Sequence, residues 1–146
     1  MEHIRPAEEK DFGRIAEIEV FNYRLNFYPI FRNDEYYFSE LSVAEKTEEY
    51  KNSGENFFVY DDKGVKGFVM LKDDEIKKLF VEPVLQGFGI GGKLIEFAIE
   101  NGIKRLWALE KNGKAVRFYA RHGFLPNGNR KPEDDTDEYL IELEHK

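Results

Sequence analysis

From Gln86 to Gly92 the chain reads QGFGIGG, four glycines in a stretch where a helix is about to begin. The preceding residues, Glu75 to Val81 (EIKKLFV), have the composition of a strand, and Ile90 to Asn101 has helical spacing. A strand, a glycine-rich turn and a helix start together make an anion site. The first-turn N–H groups lack intrahelical partners and carry the positive end of the helix dipole. Glycine lets that backbone close on a phosphate with no Cβ in the way. A helix start that merely tolerates glycine is the plainer alternative, but each glycine inside a helix costs roughly 1 kcal/mol.

Three phosphate-binding patterns compete for these residues. Gly87, Gly89 and Gly92 satisfy G-x-G-x-x-G, and Glu110 lies where a dinucleotide fold places its ribose-binding acid. In such folds, however, the first glycine follows directly on the strand, whereas here Glu82 to Gln86 intervene and include Pro83. Gly87 to Lys93 gives G-x-x-x-x-G-K, but the next residue is Leu94, which cannot supply the magnesium-binding hydroxyl of a nucleoside-triphosphate loop. Q-x-x-G-x-G remains, with Gln86, Gly89 and Gly91 at its named positions. A second constellation lies downstream in NGKAVRFYARHGF, where Asn112 can cap a helix that stops at Gly123. Tyr119 falls about two turns after Asn112 and therefore on the same side of that helix.

The elements that must hold these residues can be read in order. His3 to Arg5 suggests a short strand, and Asp11 a cap for a helix from Gly13 to about Tyr23, with Ile15, Ile18 and Phe21 or Asn22 at helical spacing. Phe21 to Phe38 is rich in aromatic residues and broken by Pro29; packing and the wall of an acceptor pocket are both open readings. Ser42 with Glu45 is a capping-box signature for a helix ending near Ser53 and Gly54. Asn56 to Tyr60 and Gly64 to Lys72 read as a hairpin, followed by a strand from about Asp74 to Val81. In the next helix Ile90, Leu94, Ile95 and Ala98 face inward and Lys93, Glu96 and Glu100 outward. Arg105 to Leu109 is a strand in which Trp107 is expected to pack. Beyond the helix opened by Asn112, Phe124 to Leu125 and Tyr139 to Glu144 read as a last pair of strands. Between them Pro126 to Glu138 reads as a polar loop carrying Glu133, Asp134, Asp135, Asp137 and Glu138. That charge run is either a solvated loop or an attractor for a cationic acceptor, and it lacks a calcium-loop pattern.

The 146 residues suit one domain that buries roughly 70% of its unfolded surface. A net charge of −7 argues against a nucleic-acid surface and suits an amine substrate. With no cysteine, disulfides, thiolate metal sites and cysteine nucleophiles are excluded. His3, His122 and His145 show no ligand spacing, so no metal site is assigned. The chain has no membrane-length apolar run, and a cytoplasmic protein is expected. A homodimer is left open.

Taken together, LFVEP (Leu79 to Pro83), QGFGIGG, and the set Asn112, Ala115, Phe118, Tyr119, Gly123 and Phe124 resemble the core of the GNAT superfamily of N-acetyltransferases. The likeness covers about Asn56 to Phe124 well and the first fifty residues only in pattern. It implies an α/β (α+β) fold: a mixed, mostly antiparallel twisted sheet flanked by helices, splayed between the strand ending near Val81 and the strand ending near Leu109. The single domain would comprise an acceptor-selecting part (residues 1–55), an acetyl-CoA-binding core (56–124) and C-terminal strands with a loop (125–146). Backbone groups of Leu79, Phe80 and Val81 would pair with the pantetheine arm of acetyl-CoA, and Gln86, Gly87, Phe88, Gly89, Ile90, Gly91 and Gly92 would hold its pyrophosphate. Asn112 would bond the arm from the other side, with Ala115, Phe118 and Tyr119 beside it. The resemblance further implies direct attack by a small-molecule or peptide amine on the thioester, with Tyr119 as general acid and Glu75 as general base, directly or through water. A buried core tyrosine and an ordinary strand-start charge are the plainer readings of those two residues. A coenzyme A-binding regulator without catalysis and a nucleotide-binding protein are the competing classes.

Overall fold

The β-rich runs of the sequence pair into one seven-stranded sheet, in a computed structural model that describes residues 2–146. Its strands are β1 (Ile4–Pro6), β2 (Asn56–Asp61), β3 (Val65–Lys72), β4 (Glu75–Val81), β5 (Arg105–Leu109), β6 (Phe124–Pro132) and β7 (Tyr139–His145), in the order β1-β2-β3-β4-β5-β7-β6. Every neighbouring pair is antiparallel except β4 and β5. The helices are α1 (Phe12–Asn26), α2 (Tyr28–Phe31), α3 (Val43–Lys51), α4 (Ile90–Glu100) and α5 (Gly113–Arg121). A mixed, mostly antiparallel sheet flanked by helices is thus the observed architecture.

One local irregularity shapes everything that follows. β4 and β5 pair only at Glu75↔Arg105 and Ile76↔Leu106, after which they part. On its other side β4 stays in register with β3, but the register slips between Met70 and Leu71, which oppose Lys78 and Ile76. Lys77 is the extra residue of a β-bulge. A bulge bends its strand and adds twist, and this one falls at the point where β4 leaves β5.

Two apolar layers cover the sheet. On one face Leu94, Ile95 and Ala98 of α4 pack with Leu106, Phe124 and Leu143, and the α5 residues Val116, Phe118 and Tyr119 lie against them. The opposite face carries Ile15 and Ile18 of α1 and Tyr50 of α3 against Phe57, Val59 and Phe68. Side chains of this size contribute about 1.5–3 kcal/mol each when fully buried. The aromatic stretch forms a third cluster, in which Val20, Tyr37 and Leu41 collect Tyr23, Phe27, Tyr28 and Phe31.

Four local expectations are corrected. The first strand is shifted by one residue to Ile4–Pro6. Asp11 does not cap α1; its carboxylate accepts from the Glu8 N–H at 2.7 Å and pairs with Arg5 at 2.7 Å, locking a preceding 3-10 turn. Pro29 breaks the first helix but also begins the next, since a proline costs nothing where the N–H would be unpaired. The loop expected from Pro126 starts later, because β6 continues to Pro132 as a polar edge strand exposed beyond Phe124. Ser42 does accept from the Glu45 N–H, at 3.3 Å, as its capping signature requires.

Candidate active site

The splay opens into a cleft of about 880 Å³. Its sides are the free edge of β4 and the ends of β5 and α5, and the start of α4 forms one end. Tyr23, Phe27 and Phe31 also line it, as do Trp107, Leu140 and Glu133. The aromatic segment packs as a cluster, and three of its rings line the cleft. Trp107, expected to pack, is a half-buried cleft wall with the Lys131 ammonium 4.2 Å over its ring.

At α4 the glycines divide their work. Gly89 is the N-cap with φ of 87°, a conformation that a side chain strains, and it offers no side-chain cap. The first intrahelical bond is Lys93 N–H to the Gly89 carbonyl at 3.1 Å, which leaves the N–H groups of Ile90, Gly91 and Gly92 without helical partners. Gly91 answers a different need: a Cβ there would stand 3.1 Å from the Phe118 ring, so the glycine lets α5 approach α4. Phe88 points its side chain to solvent, 75% exposed, and only its backbone belongs to the turn. Ile90 is buried in the core beneath.

On the β4 edge the ladder decides which groups are free. The Glu82 N–H donates to the Lys66 carbonyl at 2.9 Å. Antiparallel pairs alternate, so the backbone groups of Phe80 turn toward β3 while those of Leu79 and Val81 turn into the splay. The expected trio narrows accordingly, with Phe80 presenting only its side chain. The Val81 carbonyl is also taken, accepting from Asn22 Nδ2 at 2.9 Å and Gln86 Nε2 at 3.3 Å. Leu79 keeps both of its backbone groups for the cleft, and Val81 keeps its N–H.

Gln86 turns inward. Its Nε2 donates to Asn22 Oδ1 at 3.0 Å and its Oε1 accepts from Lys114 Nζ at 3.2 Å, tying α1, the end of β4 and α5 together. Asn112 spends its Oδ1 on the Ala115 N–H at 3.4 Å, which caps α5 and leaves Nδ2 free for the cleft. Tyr119 lines the cleft beside Phe118, with ring centroids 5.2 Å apart. Among the described residues its hydroxyl has no protein hydrogen-bond partner, and burial pushes its pKa up, so it stays protonated. Glu75 lies at the closed end of the splay with both oxygens engaged, one by Arg105 at 3.2 Å and one by Lys77 at 3.1 Å.

Comparison with known proteins agrees with this geometry. An acetyltransferase (GNAT) domain model matches residues 53–126. An uncharacterized N-acetyltransferase of Archaeoglobus fulgidus is 33% identical over 130 residues, covering 80% of this chain and 88% of that one. The chain belongs to the GNAT acetyltransferase family. Also similar is the peptidyl-lysine N-acetyltransferase YjaB of Escherichia coli, 32% identical over 69 residues, 47% of either chain. The solution structure of apo YjaB superposes with a TM-score of 0.71 at 23% identity, covering 97% of this chain and 95% of that one. YncA of Salmonella typhimurium, solved with acetyl-CoA, gives a TM-score of 0.67 at 20% identity over 98% and 92% of the two chains. Among the described residues no helix is long and apolar enough to cross a membrane.

This GNAT acetyltransferase also holds a buried carboxylate behind its cleft wall. Glu19 is fully buried, and its carboxylate accepts from the Tyr50 hydroxyl at 2.8 and 2.7 Å and from the Lys78 ammonium. With Asn22, Tyr23 and Asn26 it makes a stripe on α1 at i, i+3, i+4 and i+7 that faces β4. The available signal was a glutamate and an asparagine lying along a helix face otherwise filled by Ile15 and Ile18.

Proposed function

We propose that the protein transfers the acetyl group of acetyl-CoA to a primary amine by direct attack, in the cleft between β4 and β5. The observation that carries this reading is the convergence in one cleft of three unsatisfied sets of groups: the Leu79 backbone with the Val81 N–H, the α4 N-terminal amides and the Tyr119 hydroxyl. An extended amide-bearing arm fits the free β4 edge as an added strand would, and Asn112 Nδ2 faces it from the other side. The amides of Ile90 to Gly92 suit a pyrophosphate, with Lys114 and Arg121 among the cleft residues as further cationic partners. Acetyl-CoA supplies an activated thioester, so no covalent enzyme intermediate is needed, consistent with a chain without cysteine.

The residues then have distinct tasks. The cleft positions amine and thioester together. N–H groups of the β4 edge donate to the carbonyl oxygen as charge builds on it. Glu75 takes the proton of the substrate ammonium through water, since both its oxygens are already held by cations, and the neutral amine so formed attacks the thioester carbon. Tyr119 gives its proton to the sulfur as the C–S bond breaks. Incubating the protein with acetyl-CoA and a panel of polyamines, amino acids and lysine peptides, the last being the type of acceptor named for YjaB, tests this by thiol release and product mass. Acetylated amine is the expected result. Tight acetyl-CoA binding with no turnover on any amine would favour a binding protein instead.

A further inference from the structure

The chain carries a net charge of −7, yet the side chains lining the cleft include Lys77, Lys78, Lys114, Arg121 and Lys131 against only Glu75 and Glu133. Lys114 and Arg121 stand on α5, on the side of the α4 N-terminus. Lys77 is held by Glu75, and Lys131 covers Trp107. Lys78 is placed differently. It follows the bulge at Lys77 and opposes Met70, so its side chain runs over the α1 face of the sheet, beside Tyr23.

Three observations indicate that Lys78 is built rather than incidental. Its ammonium bonds to Glu19 Oε1 and to the Tyr50 hydroxyl, and it lies 5.6 Å over the Tyr23 ring and 5.1 Å over the Tyr50 ring. Its counter-charge is wholly buried, whereas its own side chain is 23% exposed and lines the cleft. An ammonium has three N–H donors; two are spent, leaving one. A buried ion pair is a costly way to stabilise a fold, since well-packed apolar residues of similar volume often do as well or better. Retaining one with its positive end at the cleft is accounted for if that end meets a ligand. Glu133, also among the cleft residues, has no cation within ion-pair distance among the described residues.

We propose that Lys78, held in place by Glu19 and Tyr50, anchors a carboxylate on the acceptor, so that the acceptor is an amino-acid-type molecule whose amine is thereby aimed at the splay. Lys78 determines specificity; Glu19 and Tyr50 are positioning residues. Aromatic rings lining the cleft add room for an apolar side chain on such a molecule. This inference rests on the proposed transfer to an amine.

The test compares acids with their amide twins: L-phenylalanine, L-leucine, L-lysine and glycine, each against its carboxamide, as acceptors with saturating acetyl-CoA. Rates are corrected for the fraction of neutral amine. A hydrogen bond to a charged group predicts that at least one acid exceeds its amide in kcat/KM by about tenfold or more, carried mainly by KM. Lys78→Met should level that ratio to within about twofold, Lys78→Arg should keep part of it, and Glu19→Gln should lower it by loosening the anchor. Acetyl-CoA affinity, measured by calorimetry on each variant, should stay unchanged. A wild-type protein that binds acetyl-CoA but favours no acid over its amide overturns the anchor while leaving the transferase reading intact; so does a Lys78→Met variant that keeps the preference. Failure to bind acetyl-CoA at all would overturn the transferase reading and the anchor with it. Should Glu19→Gln not fold, Tyr50→Phe provides the same loosening, and an unchanged ratio there rejects the positioning role.

Discussion

Replacing Tyr119 by phenylalanine removes one hydroxyl and nothing else, and the structure makes its two consequences separable. Among the described residues that hydroxyl donates to no protein group, so no intramolecular hydrogen bond is lost. The stability change should stay within about 1 kcal/mol, because no buried hydrogen bond is broken at this half-buried cleft residue. A general acid for a departing thiolate is worth about 10²- to 10⁴-fold, or roughly 2.7 to 5.4 kcal/mol of barrier. Tyr119→Phe should therefore lower kcat within that range while the acetyl-CoA dissociation constant and melting temperature hardly move. The pH dependence adds a second check. Ionising tyrosine makes an anion, burial disfavours the anion, and the pKa rises above its ordinary value of 10.0. Any alkaline fall in kcat caused by Tyr119 must then lie above pH 10.0. Steady-state kinetics by thiol release, calorimetry and thermal melting on the one variant suffice. A kcat within about twofold of wild type would remove Tyr119 from the mechanism, since low-pKa thiolates leave with little help.

Gly89→Val places a β-branched residue at φ 87° in the α4 cap; acetyl-CoA affinity should fall by at least about tenfold in a protein that still folds, and unchanged calorimetry would remove the α4 terminus from the site. Gly91→Val makes a poor substitute for it, because the Phe118 ring would clash and α5 would shift. Asn22→Leu abandons the Val81 carbonyl and Gln86, and urea unfolding should show a loss of about 1–3 kcal/mol; parental stability would mean that this link between α1 and β4 is idle. Arg5 holds Asp11 below the usual carboxylate range, so the pair's contribution is present at neutral pH and fades as pH falls through the folded-state value. Asp11→Asn should accordingly destabilise the protein near pH 7, and in paired urea titrations the deficit should shrink as pH falls below 3.8, the ordinary value from which Arg5 lowers Asp11; a deficit that does not shrink would refute the ion pair.

How far the sequence revealed this arrangement depended on whether the decisive interaction was local. Turn and cap chemistry is local, and the hairpin of β2 and β3, the caps at Ser42 and Asn112 and the turn from Gln86 to α4 all lay where their residues indicate. Apolar spacing likewise placed Ile90, Leu94, Ile95 and Ala98 in the core. Polar residues whose partners are distant in sequence carry no such local signal. Lys78 and Tyr50 meet Glu19 from β4 and α3, and Arg105 reaches Glu75 from β5. β6 beyond Leu125 carries no apolar alternation because both of its faces meet water, so NGNRKP read as loop. The Gln86 side chain joins α1 to β4, a link between distant segments that no motif carries. Which backbone groups of Leu79, Phe80 and Val81 are free is set by register with β3, which no residue type encodes.

That last point supplies the most direct measurement. Backbone-assigned NMR should follow amide hydrogen exchange with and without acetyl-CoA. If the splay receives the pantetheine arm and α4 the pyrophosphate, protection should rise at the Leu79 and Val81 amides and at Ile90 to Gly92. The Phe80 amide, already turned to β3, should hardly change. Binding that leaves Leu79 and Val81 unprotected, or that protects a surface away from β4 and α4, would contradict the account.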